Sequence, residues 1–169
     1  IPMNDVWDIF SDYLYLAYLE SEIQIHAFVL MSNHIHLVMT TPNSNLSDVM
    51  RNLGTRTAKE INFLSKKKNH LWGGRYFPSR IENAYYFQNV MKYVYQNPVE
   101  AGMVKGVEKY RYSSIYGLLG LGQITFPVLN SAFTENLLDS NLHNEMGWLN
   151  SPMPEKVNKC ISEALKRTR

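Results

Sequence analysis

The sequence contains very little cysteine and no long apolar run, and both absences narrow the class of protein. Cys160 is the single cysteine, which excludes an internal disulfide framework and fits a reducing compartment. The longest apolar stretches, such as residues 115–121, are interrupted by glycine and fall far short of the roughly 20 residues that span a bilayer. Residues 1–5 (IPMND) contain neither a basic region nor an apolar region, so we expect no signal peptide in this sequence. We therefore expect a cytoplasmic protein with no membrane segment.

Length limits the number of domains. With 169 residues, of which 45% are hydrophobic, the chain can fill one core and carry a tail, but it is too short for two ordinary domains. We predict one domain over residues 1–120 and a mostly helical tail over residues 121–169. The first residue is not Met, so we expect the natural protein to begin further upstream.

Lysine and arginine are absent from the first 50 residues, although the whole chain has a formal net charge of +2. Residues 1–50 carry a net charge of −6, whereas residues 51–80 carry +7 and include interleaved aromatic residues such as Trp72 and Tyr76. That mixture suits a polyanion with stackable bases, and the alternative is a solvated helix face beside core aromatics. The candidate DNA-binding residues are Arg51, Arg56, Lys59, Lys66, Lys67, Lys68, Arg75 and Arg80.

The apolar periodicity of the first 40 residues indicates a helix followed by a hairpin. Spacings of three and four predict a helix over residues 6–20. Two β-rich runs, residues 23–31 and 35–41, are joined by Ser32-Asn33 and predict an antiparallel pair.

The next segments predict two more helices around a short edge strand. Ser47 is a plausible N-cap for a helix that runs to about residue 66. Residues 75–81 resemble an edge strand that contains a proline. Asn83 begins a helix that Pro98 is expected to end, which would place Asn97 at the helix end with its amide free. The whole pattern predicts a ferredoxin-like antiparallel sheet with helices on one face, for which a further strand would precede Val6.

Two short motifs predict a metal site that faces a nucleophile. His34 and His36 are separated by one residue, so on a strand their imidazoles lie side by side. Tyr93 and Asn97 are four residues apart, so on a helix they share a face. A divalent cation between the two pairs would suit phosphodiester chemistry.

Each of these residues also has a structural interpretation. A histidine pair on a strand is often structural when it stands alone. Tyr93 competes with Tyr85, Tyr86 and Tyr95 as core filler or stacking surface in the same helix. Asn97 could instead cap the helix end or bond a carbonyl.

Three ordered motifs carry a family resemblance. Residues 26–38 (HAFVLMSNHIHLV) resemble the HUH signature of single-tyrosine transposases, and most of all the REP-associated tyrosine transposases. Residues 71–76 (LWGGRY), 93–104 (YVYQNPVEAGMV) and 110–114 (YRYSS) agree with it. The resemblance covers roughly residues 5 to 120, and its departures are Ser32 in place of the usual proline and the missing first strand.

The resemblance implies a function and a set of roles. Residues 1–120 would form an HUH single-tyrosine transposase domain that cleaves and joins single-stranded DNA next to hairpins. Tyr93 would be the nucleophile, and His34, His36 and Asn97 would bind Mg²⁺ or Mn²⁺. The partner would be single-stranded or hairpin DNA, and the protein would be a monomer or a homodimer.

Two other functions fit part of the pattern. One is a non-catalytic protein that binds hairpin DNA on the same scaffold. The other is a metal hydrolase of small substrates that uses the histidine pair, which would leave the basic segment 51–80 unexplained.

Overall fold

A hairpin of two strands organises the chain. The structure is a computed structural model that describes residues 1–68, 70–129 and 142–166. Strand β1 spans Gln24–Leu30 and strand β2 spans Ile35–Thr40, paired antiparallel so that Val29 lies opposite His36. The predicted hairpin is therefore confirmed, and in the described residues the sheet consists of these two strands. The further strand expected before Val6 stays a prediction.

Helices make up most of the rest of the described residues. They are α1 (Met3–Ser21), α2 (Leu46–Ser65), α3 (Ala84–Glu100), α4 (Ser114–Leu118), α5 (Leu142–Asn150) and α6 (Glu155–Lys166), with a 3-10 turn at Val107–Lys109. The predicted α+β class and helical C-terminal region are confirmed. No helix within the described ranges is long and apolar enough to cross a membrane.

A β-bulge at His26 decides which side chains of β1 reach each face of the sheet. The pairing register shifts between Ile25 and Ala27, and an inserted residue moves the alternation of side chains by one position. Ile25 and Phe28 therefore lie in one core, whereas Ala27 and Val29 lie in the other.

The two cores arise because helices cover both faces of the hairpin. On one face α1 and α2 bury Phe10 and Leu53 against Phe28. On the other face α3 buries Val94 against Val38. The sequence-based expectation placed helices on one face only and left the other for a ligand, but the apolar stripe of α3 also requires burial. Since residues two apart on a strand share a face, His36 lies beside α3.

Residues 70–83 form no strand, so the predicted edge strand at residues 75–81 is wrong. Side chains attach this segment to α2 instead of a backbone ladder. The indole Nε1 of Trp72 donates to the carbonyl of Gly54 at 2.9 Å, and its ring meets Phe10 edge to face. Trp72 is therefore a core aromatic in this structure.

The prediction that Ser47 caps α2 is also wrong. The helix begins one residue earlier, at Leu46, and follows Asn45. The hydroxyl of Ser47 lies 3.2 Å from the Tyr76 hydroxyl, so it holds the 75–81 segment rather than the helix end.

Pro98 does not end α3, contrary to expectation, because the helix continues to Glu100. A proline removes one backbone donor, but the following turn retains its hydrogen bonds, including Ala101 N–H to the Asn97 carbonyl at 2.9 Å. Asn83 caps the start of α3 as predicted, since its side chain accepts from the Tyr86 N–H at 2.8 Å. Asn97 thus lies inside the last turn.

Later segments cover the edge of β1 that β2 leaves open. Leu30 N–H donates to the Tyr112 carbonyl at 2.9 Å, and Ser113 forms an isolated bridge with Val29. Further along, Leu129 N–H donates to the Ile25 carbonyl at 2.7 Å. These bonds satisfy backbone groups that would otherwise be unpaired at a sheet edge.

Residues beyond 120 contribute to both cores. Phe126 packs against Trp7 in the first core, and Leu149 is fully buried in the second. The division into a domain over 1–120 and a tail over 121–169 stays a prediction. Residues 130–141 and 167–169 of the predicted tail lie outside the described residues.

Tyr95 joins α3 to α4 and β1 at the centre of the second core. Its hydroxyl lies 3.1 Å from the hydroxyl of Ser114, which accepts the N–H of Phe28 at 3.0 Å. Burial is the largest influence on the Tyr95 hydroxyl and raises its pKa. The phenol is therefore neutral at pH 7.

We expect Tyr95→Phe to lower the free energy of unfolding by about 1 kcal/mol, because it removes a buried hydrogen bond but retains the ring. Urea denaturation measures the change. Tyr85→Phe is the matched control, since Tyr85 lies on the same helix and is 69% exposed. Equal effects of the two substitutions would contradict a structural role for the Tyr95 hydroxyl.

Candidate active site

The hairpin brings two imidazoles together. His34 directly precedes β2, and the turn is closed by a hydrogen bond of 2.9 Å from Met31 N–H to the His34 carbonyl. The Nε2 atoms of His34 and His36 lie 3.1 Å apart. The side-by-side placement expected from the spacing is therefore present.

The neighbour of His34 sets its tautomer. Its Nδ1 lies 2.7 Å from the side-chain oxygen of Asn33, which only accepts hydrogen bonds. Nδ1 therefore carries the proton, and the lone pair of Nε2 is directed toward His36.

Both imidazoles are neutral at pH 7. Burial, with a smaller effect of His34, lowers the pKa of His36 to about 4, although a hydrogen bond with Asn97 acts in the opposite direction. Burial also lowers the pKa of His34. A neutral imidazole is the form that binds metal ions.

Helix α3 supplies the other two predicted residues. The ring of Tyr93 meets that of His36 edge to face, with centroids 6.0 Å apart. One turn later, the side-chain nitrogen of Asn97 donates to the Tyr93 carbonyl at 2.7 Å, which leaves the amide oxygen for His36. Strand β2 and helix α3 thus bring His34, His36, Tyr93 and Asn97 together.

Two other tyrosines of α3, which were alternatives to Tyr93, do not lie beside the histidine pair. Tyr95 is 1% exposed within the second core, and Tyr85 is 69% exposed. Tyr93 is intermediate in exposure, and burial raises its pKa. Its phenol is therefore protonated at neutral pH and lies against an imidazole.

The donor set fits a divalent cation of octahedral preference. Adjacent ligands of Mg²⁺, each at about 2.1 Å, are separated by about 3 Å in an octahedron, and the two Nε2 atoms are 3.1 Å apart. No group of three or more His, Cys, Asp or Glu side chains lies close together in the described part of the chain. A third protein ligand would therefore be the amide oxygen of Asn97, and the nitrogen ligands suit Mn²⁺ better than Mg²⁺.

The basic residues of α2 are not part of this arrangement. Arg51, Arg56 and Lys59 lie on α2, Lys66, Lys67 and Lys68 follow its end, and Arg75 and Arg80 lie in the segment before α3. Because α2 and α3 cover opposite faces of the hairpin, the residues of α2 do not line the histidine–tyrosine site.

Two arginines of this set are already engaged with carboxylates. Arg51 bonds Asp48 at 2.7 Å, and Arg56 bonds Glu20 at 3.0 Å. The lysines at 66–68 are exposed and form no ion pair with any residue that the structure describes.

A contact between α3 and the end of α5, which the sequence analysis missed, fixes the rotation of the tyrosine helix. Gln96 donates to the carbonyls of Leu149 and Ser151 at 2.7 and 2.6 Å. Lys92 donates to the Ser151 hydroxyl at 2.8 Å and lies over the Trp148 ring. These two residues immediately precede Tyr93 and Asn97. Their four-residue spacing, which places both side chains on one face of the helix, was the available signal.

Comparisons with known proteins agree on one family. A model of the family described as "Transposase IS200 like" matches residues 4–97, which include all four residues of the site. The REP-associated tyrosine transposase of Escherichia coli (strain K12) is 27% identical over 93 residues, which are 55% of this chain and 54% of that protein. This chain therefore spans about half the length of that curated relative.

A solved structure shows the same fold. It is that of a REP-associated tyrosine transposase bound to a REP hairpin, and it matches with a TM-score of 0.59 at 20% identity. The match covers 73% of this chain and 76% of that chain.

We expect Gln96→Met to lower the free energy of unfolding by about 1–3 kcal/mol, because the buried Leu149 carbonyl and the part-buried Ser151 carbonyl lose their donor. Gln88→Met is the control, since Gln88 is exposed on the same helix. Thermal or urea denaturation measures both. A Gln96→Met protein as stable as the control would show that the α5 contact does not hold α3.

Proposed function

This chain belongs to the IS200-like transposase family, and we propose that it is a metal-dependent endonuclease and strand transferase for single-stranded DNA. It acts next to hairpin DNA through a covalent 5′-phosphotyrosine intermediate on Tyr93. The observation that carries this proposal is the meeting of Tyr93 and Asn97 with His36, since separate elements bring the proposed nucleophile and the proposed metal ligands to one point.

Tyr93 performs the transesterification. Its phenolic oxygen attacks the phosphorus of a phosphodiester, the bond from phosphorus to the 3′ oxygen breaks, and that oxygen leaves as a 3′ hydroxyl. The phenolic proton ends on the leaving oxygen. The reverse attack by the 3′ hydroxyl of another strand releases the tyrosine and joins the strands, so no nucleotide cofactor is required.

His34, His36 and Asn97 would hold Mg²⁺ or Mn²⁺. The bound cation supplies Lewis acidity, which neutralises charge on the nonbridging phosphate oxygens and favours the phenolate. His36 is already neutral at pH 7, and its contact with the Tyr93 ring keeps the phenol oriented at the same point. Asn33 accepts a hydrogen bond from Nδ1 of His34, which would hold the ring in the orientation and tautomer that bind the cation through Nε2.

Hairpin DNA is the proposed partner. The solved relative is bound to a REP hairpin, and residues 51–80 carry a net charge of +7 in this chain. Lysines at the end of α2 would contact phosphates, which position a nucleic acid without reading its sequence.

A hairpin-binding protein that no longer cuts is the second candidate. Burial raises the pKa of Tyr93, which opposes formation of the phenolate. The basic residues of α2 also lie on the face opposite the histidine–tyrosine site, so the scaffold can retain DNA binding without catalysis.

The decisive experiment is a denaturing gel of labelled stem-loop DNA with single-stranded flanks, incubated with protein and Mn²⁺, Mg²⁺ or EDTA. We expect a metal-dependent covalent adduct in the wild type. Tyr93→Phe should abolish it because phenylalanine has no hydroxyl, and His36→Ala should reduce it at least about tenfold.

Tyr85→Phe is the matched control for this assay and should leave the adduct unchanged. The stem-loops should be taken from the DNA that flanks the gene. If the protein binds these stem-loops but forms no adduct with either metal, the catalytic proposal fails and the binding function replaces it.

We expect the triple substitution Lys66→Gln, Lys67→Gln and Lys68→Gln to reduce the salt dependence of DNA binding. Each lost phosphate contact lowers the slope of log K against log salt by about 0.7–0.9, so the slope should fall by about 2–3. Arg51→Gln is the control with a smaller effect, because Asp48 already neutralises Arg51. Fluorescence anisotropy across a salt series measures the slopes. An unchanged slope in the triple variant would place the DNA on another surface.

A further inference from the structure

Lys92 is a buried lysine of α3 that has no acidic partner in the part of the chain that the structure describes. It is 3% exposed. Its ammonium donates to the Ser151 hydroxyl at 2.8 Å and lies 5.0 Å from the centre of the Trp148 ring. The proposed cleavage chemistry assigns no role to this residue.

Stability alone does not explain a lysine at this position. Removing an ammonium from water costs free energy that one hydroxyl and one aromatic ring return only in part, and burial accordingly lowers the pKa of Lys92. Replacing buried charged groups by apolar side chains of similar volume is often neutral or stabilising. Ser151 would not lose its only partner, because its hydroxyl also donates to the Trp148 carbonyl at 2.8 Å. A methionine could therefore fill the same space at a lower cost.

The end of α5, to which Lys92 bonds, is itself held in place by Asn150. The Asn150 side chain accepts from the Val107 N–H at 2.9 Å and donates to the Glu108 carboxylate at 3.0 Å. Both partners belong to the 3-10 turn that follows α3. The end of α5 therefore gives α3 a fixed point of attachment.

The position of Lys92 links this attachment to the candidate active site. Successive residues of an α-helix are about 100° apart around the axis, so Lys92 lies beside the face that carries Tyr93. Side chains reach about 6 Å from the axis, so a rotation of about 10° moves their ends by about 1 Å. A misplacement of about 1 Å at reacting atoms can cost about a hundredfold in rate. A small rotation of α3 is therefore large in its effect on a reaction at Tyr93.

Apolar packing by itself selects the rotation of a helix less sharply than a hydrogen bond does. Met91 and Val94 pack α3 against the sheet, and the hydrophobic effect that drives such packing has no direction. A hydrogen bond weakens steeply when its angle departs from linearity. Buried polar groups fix the register of packed helices in some proteins, at a cost in stability. Lys92 has the burial, the directional bond and the cost that such a role requires.

We propose that Lys92 is a positioning residue that holds α3 at the rotation in which Tyr93 faces His36. Its effect on rate rests on the proposed function, because that function makes Tyr93 the nucleophile. Lys92 acts through the helix and touches neither the DNA nor the cation. It therefore governs the rate of adduct formation and not the affinity for DNA.

Nuclear magnetic resonance tests the rotation in the absence of metal and DNA. The Tyr93 ring meets the His36 imidazole edge to face, with centroids 6.0 Å apart, so its ring current shifts the His36 proton signals. The chain has five histidines, and the signals that disappear in His36→Ala belong to His36. Tyr93→Leu gives the signal positions without the ring current. We expect Lys92→Met to move the His36 signals toward those positions.

Two further variants complete this comparison. Ser151→Ala removes the same hydrogen bond from the other side and should move the His36 signals in the same direction. It keeps the inference testable if Lys92→Met fails to fold. Gln88→Met is the control, since Gln88 is exposed on the same helix, and it should leave the signals unchanged.

Single-turnover kinetics measures the consequence for the reaction. Lys92→Met should form the Tyr93 adduct about ten- to a hundredfold more slowly than the wild type at saturating Mn²⁺. Its affinity for the same stem-loop DNA, measured by fluorescence anisotropy, should equal that of the wild type. Its urea midpoint should be no lower than that of the wild type, whereas a residue that only stabilises the fold would lower the midpoint.

Unchanged His36 signals in the folded variants would overturn the inference, and so would a Lys92→Met protein that forms the adduct at the wild-type rate. The two proposals fail in different ways. If the wild type forms no adduct with any stem-loop, the cleavage function fails, and the His36 signals still decide whether Lys92 sets the rotation of α3. If the wild type forms the adduct and the signals do not move, the cleavage function stands and the role of Lys92 is rejected.

Discussion

The burial of β1 between two cores is the constraint on which the rest of the structure depends. One bulge at His26 sends Phe28 toward α1 and α2 and Val29 toward α3, so a seven-residue strand supports helices on both faces. Because β2 keeps one register with β1 from Ala27 to Leu30, His36 is directed to the α3 face. The candidate site therefore exists only as long as the bulge and the pairing persist.

Local sequence patterns were sufficient to predict the hairpin and the helix that carry the candidate site. The i, i+2 spacing of the histidines and the i, i+4 spacing of Tyr93 and Asn97 predicted shared faces, and the structure brings the two pairs together. The metal role of these residues stays a prediction. Where local rules failed, tertiary contacts were the cause. Pro98 lies within α3 because the next turn retains its hydrogen bonds, and residues 75–81 are attached by side chains rather than by a ladder. Neither contact is visible in a one-dimensional pattern.

Neighbouring residues of helix α3 contact different parts of the structure. Tyr93 and Asn97 face His36, while Lys92 and Gln96, one residue before each, are bonded to the end of α5. Tyr95 lies on a third side and bonds Ser114. The helix is consequently fixed from two directions. Among these five residues, in the part of the chain that the structure describes, Tyr93 and Asn97 keep some exposed surface, whereas Lys92, Tyr95 and Gln96 are buried. A sequence with eleven tyrosines therefore presents one of them beside the histidine pair.

The covered edge of β1 has a consequence for synthesis of the chain. The four residues of the candidate site have all left the ribosome once residue 97 is free, but the edge of β1 is closed by Tyr112, Ser113 and Leu129. Between the release of residue 97 and the release of these later residues, the nascent hairpin exposes unpaired backbone groups at the edge of β1. Such groups are templates for pairing with other chains. Closing this edge of β1 with residues that are distant in sequence is slow compared with local helix formation. The time needed to synthesise those residues adds to the delay. The nascent chain consequently passes through a stage at which the pieces of the site are made while its supporting strand is still open to aggregation.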